Sequence, residues 1–119
     1  PGLDRSSAIK LAKGKLINQG KLDLHGMTQR QAHAALKDFI QAGFNDRKRN
    51  LLVITGKGRP KGEDEVVGYG KREGILKSIV PKWLDEPPLQ GLVLAFTTSQ
   101  REHGGAGALY VLLRKNLLR

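Results

Sequence analysis

At 119 residues, 39% of them hydrophobic and none cysteine, the chain is long enough for one domain with its own core, and it has no thiol for disulfide, nucleophilic or zinc chemistry. No apolar run approaches the roughly 20 residues that cross a bilayer, and the first residues lack the long apolar stretch of a secretory signal. The 21 Lys and Arg against 11 Asp and Glu leave a net charge of +10, which draws in polyanions and, with nucleic acid, drives binding through counterion release.

In chain order, Asp4 can cap a short helix to about Lys13, with Gly14 closing it, so residues 1–20 read as an N-terminal helical extension and 21–119 as the main domain. Lys21–His25 reads as a strand, with Leu22 and Leu24 on one face and Lys21, Asp23 and His25 on the other. Gly26 breaks it, and Thr28 with Gln31 makes a capping box that opens a helix. Ala32, Ala35, Leu36, Phe39 and Ile40 form that helix's apolar stripe, and Gly43 is the expected end. Arg47, Lys48 and Arg49 fill a polar turn, and Leu51–Thr55 follows as an unbroken apolar strand, as expected for one buried on both faces.

The stretch Arg59–Lys71 is charged and aperiodic and reads as a mobile loop. A second helix is expected from about Arg72 to Asp85, interrupted or kinked at Pro81 and stopped by Pro87-Pro88. Leu92–Phe96 and Ala108–Arg114 read as the third and fourth strands. The order β-α-β-α-β-β implies an α/β fold with a four-stranded sheet, helices on one face and the first three strands parallel; the place of the fourth stays open.

Two segments could carry chemistry. The turn Thr55-Gly56-Lys57-Gly58-Arg59 follows a buried strand, where α/β folds place ligands; its glycines let a phosphate approach the backbone while Lys57 and Arg59 supply charge. It matches neither a Walker A loop nor a dinucleotide fingerprint. Asp23 and His25 sit one pleat apart at a strand end, where a carboxylate can fix an imidazole's tautomer for acid–base work, or where both could merely tie down the next turn.

The Gly-rich segment with His103, Gly104 and Gly105 could close over a ligand or be only a long connection. His33 reads as a surface or boundary histidine, and three scattered histidines with no close pair make a weak case for zinc. Phe39, Phe44, Phe96 and Trp83 read as core, which leaves Tyr69 and Tyr110 as stacking surfaces.

Leu22-Asp23-Leu24-His25-Gly26, Val53-Ile54-Thr55-Gly56-Lys57-Gly58 and Gly104-Gly105-Ala106-Gly107-Ala108 with Tyr110-Val111-Leu112-Leu113-Arg114 together resemble the Smr (small MutS-related) domain. The likeness covers about residues 21–115 in the family's order, and the leading helix resembles the extension before stand-alone bacterial Smr domains. It implies a two-layer α+β sandwich like the C-terminal domain of translation initiation factor 3. It also implies nucleic-acid binding and, in many members, endonuclease activity, with Asp23 and His25 as catalytic residues and Thr55, Gly56 and Gly58 as substrate contacts.

The expected function is thus cleavage or nicking of DNA or RNA, with the alternative of a non-catalytic nucleic-acid- or ribosome-binding module acting with a partner or another domain. Arg47, Lys48, Arg49, Lys57, Arg59, His103, Gly104 and Gly105 are expected to contact nucleic acid. A 2′-hydroxyl attack on RNA needs no metal, whereas DNA nicking would call for Mg2+ or Mn2+. Cytoplasmic location and a monomer are expected, no membrane partner is, and a start at Pro1 rather than Met reads as a piece of a longer protein.

Overall fold

In the computed structural model, residues 18–56, 69–98 and 107–117 are described. They form β1 (Lys21–Asp23), α1 (Gln29–Asn45), β2 (Asn50–Ile54), α2 (Tyr69–Leu84), a 3-10 turn (Leu89–Gly91), β3 (Val93–Thr98) and β4 (Ala108–Leu113). The expected N-terminal helix lies outside these residues, as do Lys57, Gly58, Arg59, His103, Gly104 and Gly105.

The sheet order is β1-β2-β4-β3. β1 and β2 are parallel, and β4 is antiparallel to both β2 and β3, so the first three strands share one direction and the last runs between two of them. The expected α+β architecture with a mixed sheet is therefore present, and the open question of β4 is answered: it is central. Hydrogen bonding explains the choice, because β4 satisfies the backbone edges of β2 and β3 at once.

Alternation then sorts the side chains. Leu51 and Val53 of β2, Val93 of β3, and Val111 and Leu113 of β4 join Ala32, Leu36 and Ile40 of α1 and Leu76, Val80, Trp83 and Leu84 of α2 in one core. Leu52 of β2 with Ala108 and Tyr110 of β4 is buried on the opposite face, which accounts for the unbroken apolar run of β2. Tyr110 is thus part of that second cluster and not a stacking platform: it points from a central strand and keeps only 5% of its surface. His33 does sit at a boundary, its ring stacked 4.3 Å from that of Trp83.

Several boundaries move, each for a local reason. β1 is shorter than expected because, after Leu24 donates its N–H to the Ile54 carbonyl at 2.7 Å, the chain turns at His25 and Gly26. The capping box forms as the spacing predicts, Thr28 accepting from the Gln31 N–H and Gln31 from the Thr28 N–H. α1 passes through Gly43, whose missing side chain lets Leu51 pack close, and ends instead at Asn45.

Its exit is a Schellman turn: Arg47 donates to the Phe44 carbonyl and Lys48 to that of Gly43, with Arg47 at a φ of 63°. An arginine occupies the left-handed position where glycine is usual, so the glycine signal pointed two residues too early. α2 begins earlier than expected, at Tyr69, and continues through Pro81 to Leu84. The buried Val80, Trp83 and Leu84 anchor its last turn, which outweighs the one backbone bond that a proline removes.

Candidate active site

The parallel pairing of β1 with β2 aligns Asp23 opposite Ile54, and the antiparallel pairing of β2 with β4 aligns Ile54 opposite Ala108. The C-terminal ends of β1 and β2 and the N-terminal end of β4 therefore meet at one edge of the sheet. That edge gathers Asp23-Leu24-His25-Gly26, Thr55-Gly56 and Gly107. Three sequence-distant motifs become one site through strand register alone.

Asp23 and His25 form a clamp. One carboxylate oxygen, Oδ1 of Asp23, accepts from the His25 backbone N–H at 3.0 Å and lies 2.7 Å from ring Nδ1. Gly26 follows at a φ of 83° and swings the chain away, so the histidine projects from the edge with 67% of its side chain exposed. Held through Nδ1–H, the neutral ring keeps Nε2 as its basic nitrogen. Burial alone would raise the Asp23 carboxyl, but the ring and backbone bonds from His25, aided by the charges of His25 and Lys21, lower it below the ordinary aspartate range. Asp23 is thus an anion at neutral pH, suited to orient an imidazole and to stabilise its protonated form.

The second motif is locked to the third. The N–H groups of Thr55 and Gly56 both donate to the Gly107 carbonyl, at 2.7 and 3.1 Å, and the buried Thr55 hydroxyl lies 3.2 Å from the same oxygen. Gly56 has a φ of 97°, and a Cβ built there would stand 3.4 Å from the Cβ of His25. The turn therefore abuts the histidine, and glycine is favoured there by its backbone angle, while a Cβ would come into contact with His25. Its first two amides are committed to Gly107, so a phosphate cradle at this turn cannot draw on them. Lys57, Gly58 and Arg59 follow Gly56 directly but lie outside the described residues.

Gly107 is the site residue that sequence reasoning passed over in favour of His103, Gly104 and Gly105. The available signal was its position as the last glycine before β4. The Arg47–Arg49 run, in contrast, is not part of this edge. It precedes β2 whereas Thr55 follows it, and at roughly 3.3 Å per strand residue Arg49 and Thr55 stand about 20 Å apart. Among the described residues no group of three or more His, Cys, Asp or Glu side chains could hold a metal ion, and no helix is long and apolar enough to cross a membrane.

Comparison with known proteins gives the family of the chain and its fold. The model of the Smr domain family matches residues 22–114. The chain is 36% identical over 114 residues to the protein named "Probable DNA endonuclease SmrA" of Escherichia coli K12, covering 96% of this chain and 55% of that one. It is 35% identical over 113 residues to "Ribosome rescue factor SmrB" of Escherichia coli O157:H7, covering 95% and 52%. The chain thus spans about half the length of the curated relatives it matches.

Among solved structures, YdaL, a stand-alone small MutS-related protein from Escherichia coli, superposes with a TM-score of 0.72 at 35% identity over 96% of this chain and 79% of its own. The Smr domain of Thermus thermophilus MutS2 shares the fold, with a TM-score of 0.62 at 21% identity over 80% and 98%. With the family model spanning both ends of the sheet and the three motifs meeting at one edge, this chain belongs to the Smr domain family.

Proposed function

We propose that the protein binds nucleic acid and cleaves its phosphodiester backbone, with His25 as the acid–base group and Asp23 as the residue that orients it. The observation that carries this reading is the 2.7 Å contact between Asp23 Oδ1 and His25 Nδ1 at a strand-end edge. It holds the ring by Nδ1 on a side chain that is 67% exposed, in a chain of net charge +10. Nε2 takes the proton of the attacking hydroxyl as the new P–O bond forms and the bond to the leaving strand breaks. Charge that builds on the phosphate is offset by Lys57 and Arg59, by the amide of Gly58 and, where His103, Gly104 and Gly105 close over the substrate, by that segment. RNA supplies its own 2′-hydroxyl as nucleophile; DNA requires an activated water, for which Mg2+ or Mn2+ is the suited cofactor.

The test is cleavage of labelled RNA and DNA, with and without EDTA, by the wild type and by His25→Ala. Loss of product with His25→Ala supports the assignment, and equal cutting by that variant removes it.

A second reading is favoured by the relatives named as ribosome rescue factors: a module that engages the ribosome, with or without cutting. Co-sedimentation with ribosomes that survives His25→Ala, with no product from any substrate, would select it. Either reading places the protein in the cytoplasm, where both kinds of target are found.

A further inference from the structure

The sheet edge opposite His25 carries a cleft of about 370 Å³ lined by Arg47, Arg49, Lys115, Asn116 and Leu117. Three of its five lining residues are cationic and none is acidic. It is built from two segments distant in sequence, the turn between α1 and β2 and the tail after β4. They are tied together by three bonds: Arg49 Nε to the Leu113 carbonyl at 2.8 Å, the Leu113 N–H to the Arg49 carbonyl at 2.8 Å, and Asn116 Nδ2 to the Phe44 carbonyl at 2.7 Å.

The bond from Nε fixes the Arg49 guanidinium at the wall, so less side-chain entropy is lost when it meets an anion. Arg47 adds an independent sign. It occupies the left-handed backbone position at φ 63°, where a side chain is strained and glycine would relax it. Strain kept by a charged residue in a cationic cleft points to work done by its charge.

We infer that this cleft is a second phosphodiester-backbone site, holding nucleic acid at the end of β2 about 20 Å along the strand from the end that abuts His25. The inference rests on nucleic-acid binding as proposed above, but not on cleavage. Along stacked nucleic acid, whose step is about 3.4 Å per strand, that distance corresponds to about six nucleotides. The cleft would therefore grip the strand well away from the cut and set the position of the scissile phosphate at His25. The apolar Leu117, 79% exposed at its rim, offers a surface for a sugar or base beside the bound phosphate.

The experiment measures binding of a labelled nucleic acid of about 20 nucleotides, long enough for both sites, across a range of KCl. The wild type is compared with Arg47→Gly, Lys115→Gln and, as a charge-matched control on α2, Lys77→Gln. For each of the first two variants the slope of log affinity against log salt is expected to fall by about 0.7 to 0.9 in magnitude, equivalent to about five- to eightfold per decade of salt. Arg47→Gly should at the same time raise the unfolding temperature, so its weaker binding cannot be laid to a damaged fold.

Slopes unchanged from the wild type overturn the inference. An equal loss with Lys77→Gln overturns it too, since the overall field would then explain the binding. If His25-dependent product is absent while the slopes fall as expected, the cleft stands and the catalytic reading alone is lost.

Discussion

His25 is held to Asp23 at two points, because a single carboxylate oxygen accepts from its backbone N–H and contacts its ring Nδ1. The two bonds restrict both where the chain turns and how the ring faces. His25→Ala is expected to slow cleavage by on the order of 10²- to 10⁴-fold, the usual contribution of a positioned acid–base group. Asp23→Asn keeps the shape but offers no anion to the imidazole, and it should cost less than the loss of the ring itself. Single-turnover rates on one substrate check both, and an Asp23→Asn enzyme as fast as the wild type would remove the orienting role.

The same clamp has a pH signature. The Asp23 carboxyl is lowered in the folded chain below its ordinary value of 3.8, so its stabilising contribution is fully present above that value. It is lost as the pH falls below 3.8 through the folded value. With Asp23 45% exposed, solvent screens the pair and the contribution should stay under about 1 kcal/mol. Urea midpoints of wild type and Asp23→Asn, taken from pH 7 down to pH ~2, should differ at the upper end and converge at the lower. A constant gap across the range would contradict this account.

Gly26 and Gly56 both adopt positive φ, yet their surroundings differ. A Cβ at residue 26 meets nothing within 4 Å, whereas one at residue 56 faces the His25 Cβ. Each alanine substitution should therefore destabilise by about 1–2 kcal/mol through backbone strain. Gly56→Ala should in addition bring a methyl group into contact with His25 and lower turnover more than Gly26→Ala does. Thermal unfolding and cleavage rates measured on both variants separate the two effects; equal activity loss would mean that the contact with His25 is immaterial.

Thr55 joins the second motif to the third through its buried hydroxyl. Thr55→Val retains the shape and removes the donor, while the two backbone amides still reach Gly107. A loss of about 0.5–1.5 kcal/mol is expected, the net value of one hydrogen bond. Hydrogen exchange at the Thr55 and Gly56 amides should speed up in the variant if the hydroxyl helps to hold the junction, and stay unchanged if it does not.

Much of the fold is decided by short-range pattern. The Thr28–Gln31 capping box, the stripe of Ala32, Leu36 and Ile40, the alternation of Leu22 and Leu24 against Asp23, and the doubly buried run of β2 all follow from periodicities of a few residues. Asp23 and His25 were legible as a pair from their spacing, but His25 lies in the turn after β1, so what brings it to Asp23 is the local clamp through one carboxylate oxygen and not the strand pleat. What only the tertiary structure decided are the relations between strands.

The central place of β4 depends on which backbone edges pair, and no local window contains that choice. It is this pairing that sets the Gly107 carbonyl under Thr55 and Gly56 and commits their amides. The same pairing sends Arg47–Arg49 to the far edge beside Lys115, although the charge run itself carries no address. Side-chain type and spacing thus determined what chemistry this protein can offer; the hydrogen-bonded order of its strands determined where each part stands.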